Sequence, residues 1–213
     1  NQLAKTLVII TGPQGSGNHL FSKIFAASTD VFGWQDLNDT YWVAHDQEPF
    51  AQAWHDPTQL KHIVFDRYAV TSISCPYAYH GTTTEPDYEK FITAAKDLGY
   101  HVRVAVIGRD QNVIQYQQTR VRGVHSYPRF GHRLPDLCHH EPVFLSTELL
   151  YLYRMHYVRS LPALLGIPVD IASEQLEQIL AQDPNAKYFQ PAGEQPLDSY
   201  VRTVSGLNNI SAE

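Results

Sequence analysis

The chain is 213 residues long, 43% hydrophobic and 18% charged, which excludes a disordered polyelectrolyte and leaves enough chain for a full hydrophobic core. Lys and Arg number 16 against 22 Asp and Glu, and the net charge of −6 excludes a generic nucleic-acid coat or a binder of anionic membranes. Two cysteines, Cys75 and Cys138, are too few for a disulfide framework and point to a reducing, cytoplasmic setting. No apolar run approaches the roughly 20 residues of a membrane span, and Asn1 to Thr6 carries no signal-peptide pattern.

Taken in chain order, Leu7-Val8-Ile9-Ile10 is a continuous apolar run, as a strand buried on both faces requires. It enters Gly12-Pro13-Gln14-Gly15-Ser16-Gly17, and a helical pattern follows from Asn18 to about Ala27 with Leu20, Phe21, Ile24 and Phe25 on one face. Residues 30–60 are aromatic and acidic with weak periodicity, so short helices and loops are expected. His62 to Phe65 and Ala69 to Ser74 read as strands. Pro86 to Leu98 reads as a helix closed by Gly99, and Val102 to Ile107 as a second strongly apolar strand. Asp110 stands at an N-cap position ahead of a helix that runs to Arg122 and closes at Gly123. Ser126 to Glu141 holds two prolines and Gly131, so residues 124–141 read as a lid or acceptor loop. Val143 to Leu165 reads as the longest helix, Ile167 to Ile171 as a strand and Ser173 to Ala181 as a short helix capped by Ser173. Residues 182–213 read as a surface tail. Alternating strands and helices predict a single α/β domain, and the glycine-rich turn at 12–17 makes the expected architecture a three-layer P-loop fold with a mostly parallel central sheet flanked by helices.

The turn at 12–17 has the form of a P-loop, a strand followed by a glycine-rich turn and a helix. Glycines let successive N–H groups point inward, and the helix N-terminus adds the positive end of its dipole, so Gly12, Pro13, Gln14, Gly15, Ser16 and Gly17 form a candidate anion cradle with Asn18 and His19 behind them. The nucleotide-triphosphatase motif has Lys and then Ser or Thr after its last glycine. Here Asn18 and His19 stand there, so neither the phosphate-binding cation nor the Mg²⁺-binding hydroxyl is present.

Ser16-Gly17-Asn18-His19-Leu20 is similar to the S-G-T-T-L part of the phosphosulfate loop of sulfotransferases. Thr29-Asp30-Val31-Phe32-Gly33-Trp34 is similar to the stretch that follows the first helix in that family, with Gln14 or Gly15 where the family has Lys or Arg. Val104-Ala105-Val106-Ile107-Gly108-Arg109 followed by Asp110-Gln111-Asn112-Val113 resembles the family's strand, arginine and helix that grip a 3′-phosphate, with Gln117 near its serine position. The resemblance implies that the donor is 3′-phosphoadenosine 5′-phosphosulfate, bound through the cradle, Arg109 and Gln117, and that a sulfonate passes to a hydroxyl acceptor, a carbohydrate or another small molecule. Arg120 and Arg122 are further candidates for the donor's phosphate, because a guanidinium fork matches phosphate oxygens. From Arg103 to Arg133 the chain carries six arginines against one acid, Asp110.

Three residues are candidates for the group that removes the acceptor's proton. Glu48 lies in His45-Asp46-Gln47-Glu48-Pro49-Phe50, similar to the Glu with aromatic neighbours in carbohydrate-type members of that family. His80 follows Ser74-Cys75-Pro76, near where other members have His-x-Pro, and His19 opens the helix beside the cradle. A kinase or nucleotide-binding protein using ATP and Mg²⁺ is the alternative, with Asp66 after His62 to Phe65 as its metal carboxylate. A nucleotide-binding module without turnover is a second. Cys75 could be a nucleophile, although nothing marks a paired base. Cys138-His139-His140-Glu141 invites a metal, but adjacent residues cannot all face one ion, and no metal site is expected.

Overall fold

A computed structural model describes residues 4–34 and 44–182. Two compact units divide the chain, Asn1–Ala181 and Gln182–Glu213, and the first carries the sheet and its helices. Apart from Gln182, the expected tail at 182–213 lies outside the described residues.

Strand β1 (Thr6–Pro13) is buried along its whole length. It lies between β3 (Tyr68–Cys75) and β6 (His101–Gly108), with β2 (Val31–Phe32) beyond β3 and β7 (Val143–Ser146) beyond β6. The order is β2-β3-β1-β6-β7, and every pairing in this sheet is parallel. The uninterrupted apolar run of β1 follows from two-sided burial. Val8 and Ile10 enter one core with Phe21, Ile24 and Phe25 of α1 (Asn18–Ala26), while Leu7 and Ile9 enter the other with Trp54 of α2 (Ala51–His55) and Phe91 and Ile92 of α3 (Tyr88–Asp97). The sheet is thus the middle of three layers.

Helix α4 (Gln111–Arg122) follows β6, capped by Asp110, which accepts from Asn112 N–H and Val113 N–H, and closed by Gly123 at φ 72°. The short helices of the 30–60 region are α2 and two 3₁₀ turns at His45–Gln47 and Pro57–His62. A two-stranded hairpin, β4 (Tyr77–Tyr79) and β5 (Thr82–Thr84), turns on His80 and Gly81, both at positive φ as a tight hairpin turn requires.

Four segments differ from the sequence reading. Residues 127–138 form helix α5 (Tyr127–Cys138) rather than a loop: Pro128 occupies its first turn, where a missing N–H costs nothing, and Phe130 and Leu137, two turns apart, are buried in the core. Residues 143–165 begin as β7 and continue as three short helices, α6 (Thr147–Tyr153), α7 (Met155–Val158) and α8 (Leu161–Leu165). The first break is at Arg154, whose φ of 44° no helix continues through. Residues 167–171 pair with no strand among the described residues, and 174–181 follow as α9 (Glu174–Ala181). His62 to Phe65 is not a strand either, and Val64 is 78% exposed.

After β1 the chain moves to β2 and β3 on one side, and after β6 to β7 on the other. The junction of β1 and β6 is therefore the topological switch point, where the carboxyl ends of strands in open α/β sheets leave a ligand crevice. Residues 12–17 and Arg109 stand at that edge.

Candidate functional site

The cradle is built from backbone held by neighbouring side chains. Ser16 N–H closes a turn on Pro13 O, and the first helical bond runs from Phe21 N–H to Gly17 O. The N–H groups of Asn18, His19 and Leu20 therefore lie in the helix's open first turn. Gly15 at φ 87° and Gly17 at φ 108° adopt conformations that disfavour a side chain. There is also no room for one: a Cβ on Gly15 would lie 2.4 Å from Gln117 Oε1, and one on Gly17 would lie 2.8 Å from Thr147 Oγ1. Thr147 Oγ1 donates to Ser16 O at 2.6 Å, and Gln118 Nε2 donates to Gln14 O at 2.8 Å. Gln14 turns its own Oε1 to accept from Ser126 Oγ at 2.8 Å, so it fastens the loop to the start of α5. Asn18 is buried, accepts from Ser16 Oγ and donates toward Ser74 Oγ and Ile73 O at the end of β3. The position that carries the lysine of nucleotide triphosphatases is thus a neutral brace between the loop and the sheet.

Positive charge comes to the cradle from β6. Arg109, half-buried, donates from NH1 to Gly15 O at 2.8 Å, across the switch point. Gln117 lies against Gly15, and its Oε1 is buried with no hydrogen-bond partner among the described residues. Half a turn of that amide presents N–H instead, so it can serve an anion. Arg120 and Arg122 are exposed in the last turn of α4, and the contacts to the loop come from Gln117 and Gln118. The arginine-rich segment is not one basic surface. Arg103 donates to Leu164 O, and Arg129 and Arg133 both bind Glu85. These residues fit an anionic group at the cradle, with backbone N–H, a helix N-terminus and one guanidinium converging on it.

Beside the cradle lies a buried carboxylate. Glu48 follows the 3₁₀ turn at His45–Gln47, and its side chain is 4% exposed. Oε1 contacts His19 Nε2 at 2.8 Å and accepts from Ser72 Oγ at 3.0 Å, and Oε2 contacts His45 Nδ1 at 2.5 Å. Burial pushes this carboxyl up, but hydrogen bonds and charge attraction from His19 and His45 outweigh it and hold Glu48 below the usual carboxylate range. His19 also packs on Trp34, with ring centroids 5.0 Å apart, and His45 packs edge-on against Tyr77 at 4.7 Å. The structure thus brings His19 and Glu48 together, with His45 as a third member. His80 is not among these contacts. It sits in the hairpin turn, mostly exposed, beside Tyr79 and 3.6 Å from Asp46.

Tyr77 connects this group to a cleft of about 450 Å³ whose walls include Trp54, His55, Tyr79 and His80, with Thr84 and Glu85 on its lining. His55 stacks on Tyr79 at 4.4 Å, and Trp54 Nε1 is satisfied by Thr71 Oγ1 at 2.9 Å. The cleft therefore offers aromatic faces with hydroxyl and carboxylate groups among them.

Several other candidates lie elsewhere. Asp66 is exposed just before β3 begins, at the amino end of the sheet. The cradle is at the carboxyl end, an eight-residue strand away or roughly 25 Å, so Asp66 cannot hold a metal on a phosphate bound there. Cys75 is fully buried, and burial pushes its thiol up to about 12, which leaves no thiolate at neutral pH. Among the described residues no group of three His, Cys, Asp or Glu is arranged to hold a metal ion.

Sequence reading did not single out His45, Ser72, Thr147 or Gln118. Ser72 had a signal: Thr71, Ser72 and Ser74 place three hydroxyls in a strand whose faces are both covered, and buried hydroxyls need partners. Thr147 and Gln118 had none, because their contacts span 131 and 104 residues.

No protein-family model matches the chain, and no curated protein matches it in sequence. Solved structures do match. The sulfotransferase domain of the Synechococcus PCC 7002 olefin synthase is similar over 90% of this chain and 82% of that one, with a TM-score of 0.51 and 13% identity. Mouse sulfotransferase SULT7A1 complexed with PAP is matched over 83% of this chain and 62% of that one, at a TM-score of 0.46 and 16% identity. The chain has a sulfotransferase-like P-loop fold.

Proposed function

We propose that this protein is a sulfotransferase that moves a sulfonate from 3′-phosphoadenosine 5′-phosphosulfate to a hydroxyl acceptor. The observation that carries the reading is the convergence of the 12–17 cradle and Arg109 on one switch point, beside a buried carboxylate–histidine group and an aromatic cleft. The loop's backbone N–H groups and the open first turn of α1 would hold the donor's 5′ anionic end, with Arg109 and Gln117 at its phosphate and His19 beside it. When bound, the donor supplies an activated sulfonate and leaves as a bisphosphate. The Glu48 group would take the acceptor's proton, and the cleft would orient a small molecule with a ring, such as a carbohydrate, against its aromatic walls. Two free cysteines, one of them buried, suit a reducing, cytoplasmic compartment. No helix among the described residues is long and apolar enough to cross a membrane.

The kinase alternative needs a metal carboxylate at the cradle, and Asp66 lies at the opposite end of β3. The neutral brace at Asn18 favours a second reading, a module that binds the nucleotide without turnover. The readings separate in one assay, in which the labelled donor is incubated with a panel of phenols and methyl glycosides. Labelled product, abolished by Glu48→Gln, supports the transferase. Tight donor binding without product supports the module.

A further inference from the structure

Glu48 cannot itself receive a proton from an acceptor without surrendering its partners. Both oxygens are occupied, by His19, Ser72 and His45, and the side chain is 4% exposed. An ionised carboxylate only accepts hydrogen bonds, so the ring nitrogens that touch it must carry the protons: Nε2 of His19 and Nδ1 of His45. In the neutral rings the lone pairs then fall on His19 Nδ1 and His45 Nε2.

These two atoms are not equivalent. His19 lies in the first turn of the nine-residue α1, beside the anion cradle, with its ring against Trp34. His45 stands in a 3₁₀ turn with Asp46 next to it, and its ring packs on Tyr77, a wall of the cleft. Its Nε2 is buried and has no hydrogen-bond partner among the described residues, although buried polar atoms are nearly always paired. Trp34 Nε1, beside His19, also has no hydrogen-bond partner among the described residues, but it is a donor and cannot take a proton.

We propose that His45 is the catalytic base, with Glu48 as the positioning residue that fixes its tautomer and His19 on the donor side of the same carboxylate. The assignment rests on the sulfonate-transfer reading. The acceptor's O–H proton passes to His45 Nε2 as the oxygen forms its bond to sulfur. The bond from sulfur to the donor's phosphate oxygen breaks, and the bisphosphate leaves with that electron pair. The imidazolium, held against Glu48, returns its proton to water. The buried carboxylate orients the ring and stabilises the charge it acquires.

The test uses the full chain with water as acceptor, reading bisphosphate release from the donor at saturation, together with calorimetric affinity for 3′-phosphoadenosine 5′-phosphate. Nitrogen-15 spectra of the histidine rings read the tautomers. The expected results are a His45 ring protonated on Nδ1 alone and a His45→Gln variant whose turnover falls about 100-fold or more while affinity stays within about threefold. In Glu48→Gln the His45 tautomer preference is lost and kcat falls without a matching change in affinity. His45→Gln with full turnover and intact affinity, or a His45 ring protonated on Nε2 in the wild type, overturns the assignment alone. A wild type that does not bind the bisphosphate, or binds the donor and never turns it over, overturns the sulfonate-transfer reading and the assignment with it.

Discussion

Glu48 combines two properties that normally oppose each other: it is deeply buried, yet its carboxyl is held below the usual range. Burial alone raises a carboxyl's pKa, and the histidines reverse the sign. Because the folded value lies below the unfolded value of 4.5, ionised Glu48 contributes stability that is fully present above that pH. The contribution is lost as pH falls through the folded value. Glu48→Gln should therefore cost about 1–3 kcal/mol in denaturant melts at pH 7, and the two proteins should converge in acid. A difference that does not change with pH would mean that the charge of Glu48 does not matter to the fold. At Arg109, loss of a charge-assisted bond worth about 1.5–3 kcal/mol predicts bisphosphate affinity roughly 10- to 100-fold weaker in Arg109→Ala. Unchanged affinity in calorimetry would show that the guanidinium serves only Gly15 O.

The elements that carry the site were unequally legible in the sequence. The β1–loop–α1 unit and the β6–Asp110–α4 unit could be read because their signals are local: a continuous apolar run, two glycines at positive φ, an Asp cap, a closing Gly123. Helix α5 was masked by its polarity and two prolines, although Phe130, Leu134 and Leu137 keep helical spacing against the core. The 143–165 region looks like one helix in sequence because a four-residue edge strand and three short helices blend into one apolar pattern. Within the site, Glu48 and His19 could be nominated one at a time, but nothing local says that one carboxylate joins His19 to His45. Two tests belong to this scale. In Thr147→Val the carbonyl of Ser16 loses a buried partner, so stability should fall by about 1–3 kcal/mol and the loop should bind the bisphosphate less well. A variant with normal melting and normal affinity would remove Thr147 from the cradle's support. Glu85→Gln removes the carboxylate that Arg129 and Arg133 share, so amide exchange across 127–138 should accelerate while β1 stays protected. Exchange that does not change would mean that α5 is held by its apolar face alone.

At the scale of the molecule, two cores clamp one parallel sheet, and the cradle stands at its carboxyl edge. The net charge of −6 and the six-arginine segment suggested a basic region inside an acidic protein. The fold disperses that segment: Arg103 binds Leu164 O, Arg129 and Arg133 bind Glu85, and Arg109 is hydrogen-bonded to the loop. Recognition of a doubly phosphorylated nucleotide would therefore depend on backbone N–H groups and one guanidinium at a switch point rather than on a broad positive field. The most direct measurement is a calorimetric comparison of 3′-phosphoadenosine 5′-phosphate with ATP and Mg²⁺ on the wild-type chain. The account predicts binding of the bisphosphate, weakened in Arg109→Ala and indifferent to Mg²⁺. Binding of ATP only with Mg²⁺, and none of the bisphosphate, would contradict it.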